Sequence, residues 1–256
     1  MSWHETWGTF FAPRLAMAAR WNESVTLRGS LGTGYRAPDF KEQYISFANP
    51  AAGYAVEGNP DLRPERSVSA SLGMHVVGRG WSGRLTAFAN QFRDFITTSE
   101  QDAAGVFHYE NIESGTTRGI ESELIFSLGA ATAEFGYDYT ATRDRTTNGP
   151  LPGIAPHQAR AVFNGPPIGG IAATVATHYS AATPLQRLES GGTLRERGAF
   201  SRTDLRFARP IGSQIRAKAG VTNVFDRALG TDWPGFTGRQ FFAGLEWGLA
   251  PTGVFR

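Results

Sequence analysis

The chain has 256 residues, 41% of them hydrophobic and 12% aromatic, with 25 basic against 23 acidic side chains and a net charge of +2. That apolar content excludes a disordered polymer, and no run approaches the ~18 apolar residues of a membrane-spanning helix. Zero cysteines exclude disulfide scaffolds, thiol catalysis and cysteine-based metal sites. Only Lys41 and Lys218 are lysines, so arginine carries almost all positive charge, without the clustering along the sequence that nucleic-acid binding needs. No nucleic-acid partner is expected.

Met1 to Arg20 contains Glu5 and Pro13 and lacks the basic and apolar regions of a signal peptide. For a protein that lies beyond the inner membrane the expectation is that the chain is a fragment or has a misplaced start, so that Met1 need not be the natural start. From there period-two alternation runs almost throughout. Leu15, Met17, Ala19 and Trp21, then Val25, Leu27 and Leu31, oppose Arg14, Arg20, Arg28 and Ser30. Val68, Ala70, Leu72, Met74 and Val76 oppose the serines, Gly73 and His75 between them. Further strands are predicted over 82–96, 157–163 and 203–209. Ile120, Ser122, Leu124 and Phe126 oppose Glu121 and Glu123, and Phe135, Tyr137 and Tyr139 oppose Glu134, Gly136 and Asp138. Ile171, Ala173, Val175 and Tyr179 oppose Thr174 and His178. Ile215, Ala217, Ala219 and Val221 oppose Arg216 and Lys218, and Phe241 through Leu249 alternate against Gly244, Glu246 and Gly248. The count is eleven strands and no helix.

Connections alternate between short and long. The short ones fall at 22–24, 78–80, 128–131, 164–170 and 210–213. The long ones fall at 35–62, 97–106, 143–155, 181–199 and 226–237. Consecutive strands with every second connection short place all tight turns at one end and all long loops at the other, the layout of an outer-membrane barrel. Ten residues at ~3.3 Å, tilted ~45°, cover the ~25 Å apolar band of such barrels. Trp21, Phe163, Tyr179 and Trp247 fall near strand ends, where aromatic girdles sit. A soluble sandwich or barrel would bury the same apolar faces inward, and is the competing architecture.

Five stretches in order, Leu27–Tyr44 (LRGSLGTGYRAPDFKEQY), Asn59–Ser67 (NPDLRPERS), Tyr109–Leu124 (YENIESGTTRGIESEL), Gly220–Arg227 (GVTNVFDR) and Gly238–Leu249 (GRQFFAGLEWGL), resemble TonB-dependent outer-membrane receptors. The resemblance implies an all-β, antiparallel up-and-down transmembrane barrel segment, about eleven strands of a 22-stranded barrel. Residues 1–249 would form the C-terminal portion of that barrel and 250–256 a tail. It implies a part of an active-transport receptor that imports a scarce large ligand, such as an iron–siderophore complex or a cobalamin-like molecule. The implied location is the Gram-negative outer membrane. The partners would be membrane lipid and lipopolysaccharide, a plug and barrel strands supplied outside this chain, TonB through the plug region, and the transported ligand. A passive channel or a barrel enzyme is the alternative. The family's last strand normally ends on an aromatic residue, whereas Ala250–Arg256 follow Leu249 here.

Within these stretches Gly32 and Gly34 are expected to end a strand, Glu65 to pair near Arg63 and Arg66, and Gly119 to open a strand. Asn223 and Asp226 are expected to cap backbone around Phe225. The five histidines are scattered without the spacing of a metal site, and no nucleophile elbow occurs. No catalytic role, metal or cofactor is expected. Tyr44, Tyr54, Arg187, Arg195, Trp233 and Phe236 are ligand-loop candidates, since aromatic rings and arginine forks give much contact at modest entropic cost. Packing of loops on one another, or contact with lipopolysaccharide, competes with that role. Arg28, Glu121, Glu123, Glu134, Asp138, Arg216, Lys218 and Glu246 are candidates to face the lumen or a plug.

Overall fold

Alternation with period two builds one sheet, because each strand has an apolar row that must leave water and a polar row that must keep it. The computed structural model describes residues 2–4, 7–51, 53–99, 101–185, 196–228 and 238–248. In chain order it contains β1 (Ser2–His4), β2 (Gly8–Phe10), β3 (Arg14–Arg20), β4 (Val25–Arg36), α1 (Phe40–Tyr44), β5 (Ser46–Asn49), β6 (Tyr54–Glu57), β7 (Glu65–Gly78), β8 (Trp81–Thr98) and β9 (Val106–Leu128). These are followed by β10 (Ala131–Asp144), β11 (His157–Asn164), β12 (Ala172–Ser180), β13 (Thr183–Pro184), β14 (Glu196–Arg197), β15 (Phe200–Ile211), β16 (Ile215–Thr222) and β17 (Gln240–Trp247).

Eleven of these strands form an antiparallel meander in the order β3-β4-β7-β8-β9-β10-β11-β12-β15-β16-β17. The sheet is open, with β3 and β17 at its edges. Short turns join β3 to β4, β7 to β8, β9 to β10, β11 to β12 and β15 to β16, so they share one end. The β9–β10 turn closes over two residues between paired Leu128 and Ala131. Gly129 stands at its first position with φ +67, the left-handed entry of a type II′ turn.

The apolar rows fall as their periodicity predicts. Leu72 is 67% exposed, Met17 70% and Leu245 74%, so among the described residues no second layer covers them. A sandwich would have covered that face, and the competing architecture fails on this point.

Four expectations are corrected at the long-loop end. β4 does not stop at Gly32 or Gly34 but pairs with β7 as far as Arg36↔Glu65. β9 begins at Val106, and Gly119 is mid-strand, where a Cβ would collide with the Tyr139 carbonyl and the Phe88 ring. A helix does occur, the single turn and a half of α1. Asp39 starts it as a capping box, accepting from the Glu42 amide at 2.7 Å while the Glu42 carboxylate accepts from the Asp39 amide at 2.8 Å. Short pairs β1–β2, β5–β6 and β13–β14 lie outside the main path, and β6 also runs parallel to β9 at Ala55↔Val106. Among the described residues the packed core is small, and apart from Ala131 and Ala133 beside the β9–β10 turn it lies at this end. Leu62 is fully buried, and Ile96 and Ile112 nearly so.

Candidate functional site

Two polar regions are built by this frame, one on the face of the sheet and one among the long loops. On the face, a single register row runs from Arg84 through Glu123, Gly136, Arg160 and His178 to Arg202 across β8, β9, β10, β11, β12 and β15. Gly136 has no side chain, which leaves the gap through which Arg160 reaches back to Glu123 at 3.6 Å. From the other side Arg84 approaches Glu123 at 3.8 Å. In the next row Glu121 stands opposite Asp138. All of these but Arg202 line a concavity of about 330 Å³, together with Thr86 and Gln158.

Farther along, Asp204 is buried and lies 3.3 Å from Arg202 and 3.8 Å from Arg206. Glu246 takes Lys218 at 2.8 Å and Arg216 at 3.9 Å. Arg28 shares the same face beside Gly73, and Glu134 stands on it between Ile125 and Val162. All eight face candidates therefore stand on one side of one sheet. The Arg84–Glu123 and Arg160–Glu123 pairs are partly in water, so each contributes on the order of 0–1 kcal/mol. The row acts as a wet, sign-alternating surface and not as a set of rigid staples.

The loop region is held more firmly. Arg36 at the end of β4 donates from Nε and Nη2 to both Glu65 oxygens at 2.7 Å, and from Nη1 to Glu42 at 2.9 Å. One guanidinium thus ties the sheet edge of the loop to its helix, in the bidentate geometry that makes arginine–carboxylate pairs strong. Glu65 pairs with Arg36, and neither Arg63 nor Arg66 takes that place. Arg63 meets Asp94 at 2.8 Å, because Asp94 has a left-handed φ of 56° that distorts β8 there. Asn111 closes the clamp, accepting from the Arg63 amide at 2.8 Å and donating to the Arg63 carbonyl at 2.9 Å.

Above this clamp Tyr54 is half-buried between Phe47 and Phe107, at ring distances of 6.1 Å and 6.2 Å. Tyr44 is exposed and lies 5.1 Å from the equally exposed Phe40. The structure brings these two candidates into one loop. Arg187, Arg195, Trp233 and Phe236 lie outside the described residues. In the neighbouring loop the Asp102 carboxylate accepts from the amides of Ala104 and Val106 at 2.8 Å and 2.9 Å and meets His108 at 3.1 Å. The Val106 amide, above all, holds that carboxyl below its ordinary range.

The expected capping at the β16 exit is present. Asn223 donates to the Arg227 carbonyl and accepts from its amide, while Asp226 accepts from the Arg239 amide at 2.7 Å. Arg36, Arg84, Arg160 and Asp204 are not among the sequence candidates, and Arg63, expected near Glu65, pairs with Asp94 instead. The periodicity had placed Arg84 and Arg160 only within strand ranges. Their signal was parity with Glu123, which becomes readable once the register is known.

Residues 2–224 match the family model described as TonB dependent receptor-like, beta-barrel. An iron-regulated outer membrane virulence protein of Vibrio cholerae is 26% identical over 273 aligned residues, covering 94% of this chain and 40% of that protein. Among solved structures, the siderophore receptor PirA from Acinetobacter baumannii superposes with a TM-score of 0.75 at 20% identity, covering 95% of this chain and 41% of PirA. A ferric enterobactin receptor mutant from Pseudomonas aeruginosa, in complex with enterobactin, gives 0.76 at 18% identity with 95% and 41% covered. The chain thus spans about two-fifths of the length of the relatives it matches.

Proposed function

This chain belongs to the TonB-dependent receptor β-barrel family, and from that premise we propose that it is the C-terminal portion of an outer-membrane receptor that imports a scarce, large, iron-bearing ligand with energy from TonB. The observation that carries the reading is the two-sided sheet: an uncovered apolar face, a face of alternating charge, and long loops gathered at one end. The apolar face turns to lipid. The face carrying Arg28, Glu121, Glu123, Glu134, Asp138, Arg216, Lys218 and Glu246 turns to the lumen and the plug. The long loops, with Tyr44 and Tyr54, lie outside the cell and contribute to ligand capture, as do Arg187, Arg195, Trp233 and Phe236. Residues 1–249 belong to the barrel and 250–256 form a tail.

Support for an iron-bearing ligand comes from the relatives, a siderophore receptor and an iron-regulated outer membrane protein among them; a cobalamin-like molecule is the other candidate cargo. Charge alternation suits the lumen because a plug must bind there and be released, which many weak pairs permit and a dry interface does not.

The test is uptake of radiolabelled ferric siderophore in receptor-deficient cells, with and without TonB, supplying this chain alone or together with a plug and the remaining strands. Transport is expected only with the added segments and only with TonB. The 256-residue chain by itself leaves two strand edges whose N–H and C=O groups find no partner in lipid. A heat-modifiable monomer of this chain alone that restored TonB-dependent uptake would sink the reading.

A further inference from the structure

Two of the long connections meet away from the main sheet, and a histidine stands where they touch. The hairpin β5–β6 docks on the start of β9 through a short parallel pairing that runs from Ala55↔Val106 to Glu57↔His108. Most of what holds it there carries no charge. The Ala55 amide donates to the Gly105 carbonyl at 3.0 Å, and Asn59 donates from its side chain to the Tyr109 carbonyl at 3.0 Å. Gln101 donates to the Gly53 and Gly105 carbonyls at 3.1 Å and 2.9 Å. Tyr54 and Phe107 meet edge to face across the same pair of strands.

One contact does titrate near neutral pH. Glu57 carries the only charge of the hairpin from Ser46 to Glu57. His108 places Nδ1 3.7 Å from the Glu57 carboxylate and Nε2 3.1 Å from that of Asp102. Around the ring, β6 thus presents Glu57 and the β8–β9 connection presents Asp102. Beyond the end of β8 stands Ser99, whose hydroxyl accepts from the His108 amide at 3.0 Å, and Glu110 follows two residues farther along β9. Among the described residues neither Glu57 nor Asp102 has a lysine or arginine as ionic partner. All three side chains are half-exposed, so protons reach the ring from solvent.

A neutral imidazole has a single N–H, yet this ring has a carboxylate at each nitrogen. With the N–H given to Asp102, the nearer of the two, Nδ1 turns a lone pair toward Glu57, and the two repel. Protonation adds an N–H at Nδ1 and turns that repulsion into an ion pair. Asp102 lies six residues from His108 in the same connection, whereas Glu57 belongs to the other. The added proton therefore acts on the contact between connections. It leaves the turn within the β8–β9 connection closed, because the Ala104 and Val106 amides hold Oδ1 of Asp102 while the ring meets Oδ2.

We propose that His108 is a proton-operated clasp, which closes the β5–β6 hairpin onto β9 when the ring is charged and loosens it when the ring is neutral. Docking favours the charged ring, so it strengthens as pH falls through the range of about 8 to 5 in which histidines change charge. It weakens again once carboxylates take up protons, at about pH 4. Tyr54 is part of this hairpin, so the acidity of the medium sets how firmly that part of the long-loop end is held. The clasp follows from loop geometry and does not depend on which ligand the receptor carries.

The complete barrel containing this chain is purified in detergent, and hydrogen exchange of the Ala55 amide is measured at about pH 5.5 and about pH 8, each rate divided by the intrinsic rate at that pH. Exposed ion pairs are weak, so protection is expected to be about two- to fivefold higher at the lower pH. His108→Gln cannot charge, and Glu57→Gln leaves the ring able to titrate but removes its partner on the hairpin. Each should show the same protection at both pH values, with the amides of the main sheet as protected as in the wild type. Equal protection at the two pH values in the wild type overturns the proposal. So does a wild-type pH dependence that survives in Glu57→Gln, because the titration would then act somewhere other than the contact between the two connections.

Discussion

Arg84 and Leu85 are neighbours on β8, and on β9 they face Glu123 and Ser122 respectively, yet the two positions lie on opposite faces of the sheet, one charged and one apolar. Leu85 belongs to an apolar row uncovered by protein among the described residues; on the proposed lipid-facing reading its contribution is set by transfer between lipid and water and is large per side chain. Arg84 belongs to a row of charges already in contact with water, so its pairing exchanges one set of polar contacts for another and contributes little. A strand of this kind is specified by one face and tuned by the other. Sequence change on the polar face is correspondingly cheap, which leaves it free to vary with whatever occupies the lumen.

The sharpest way to break that comparison is to exchange the two chemistries. Leu85→Arg, in the middle of the apolar band, is expected to destabilise the complete barrel by about 2–4 kcal/mol, measured by urea unfolding in lipid bilayers. A loss below ~1 kcal/mol would mean that this face meets water. The next effect is steric. At Gly119 the strands β9 and β10 approach so closely that a Cβ meets the Tyr139 carbonyl, so Gly119→Ala should cost about 1–3 kcal/mol in the same assay, with the barrel still folded. Smaller again is Glu123→Gln, which removes the carboxylate between Arg84 and Arg160. It should change stability by less than ~1 kcal/mol, and a larger loss would show that the row is drier than its exposure indicates.

How much of this was legible follows from the same contrast. The eleven strands, their facing and the alternation of loop lengths were readable because a period of two survives wherever one face is apolar. The polar partners were not. Glu65 sits beside two arginines in sequence, yet it binds Arg36 across the β4–β7 pair, and only register brings those residues together. Before Gly119 the β9 residues Asn111–Arg118 (NIESGTTR) no longer alternate, so the periodicity shows only from Gly119 although the strand begins at Val106. α1 was invisible for another reason: its five residues are too few to show a helical period, and the Asp39–Glu42 box was its only sequence signal.

The smallest expected effect lies in the loop between β8 and β9, where Asp102 organises the turn with its own carboxylate. It accepts from the amides of Ala104 and Val106 and meets His108, and the Val106 amide leads in lowering its pKa below the ordinary value of 3.8. A depressed carboxylate favours the folded turn when ionised. Its contribution is therefore complete above the unfolded value and is lost as pH falls through the lower, folded one. The amide resonances of Ala104 and Val106 should hold constant from neutral pH down to about 4 and then move together at lower pH, with a midpoint below 3.8. Asp102→Asn should abolish that titration while leaving the resonances of the sheet strands in place. A midpoint at or above the ordinary value would mean that the carboxylate does not hold the turn. Because the Asp102 and His108 side chains both reach solvent, salt should weaken the contact between them but spare the two amide hydrogen bonds, which require only local geometry.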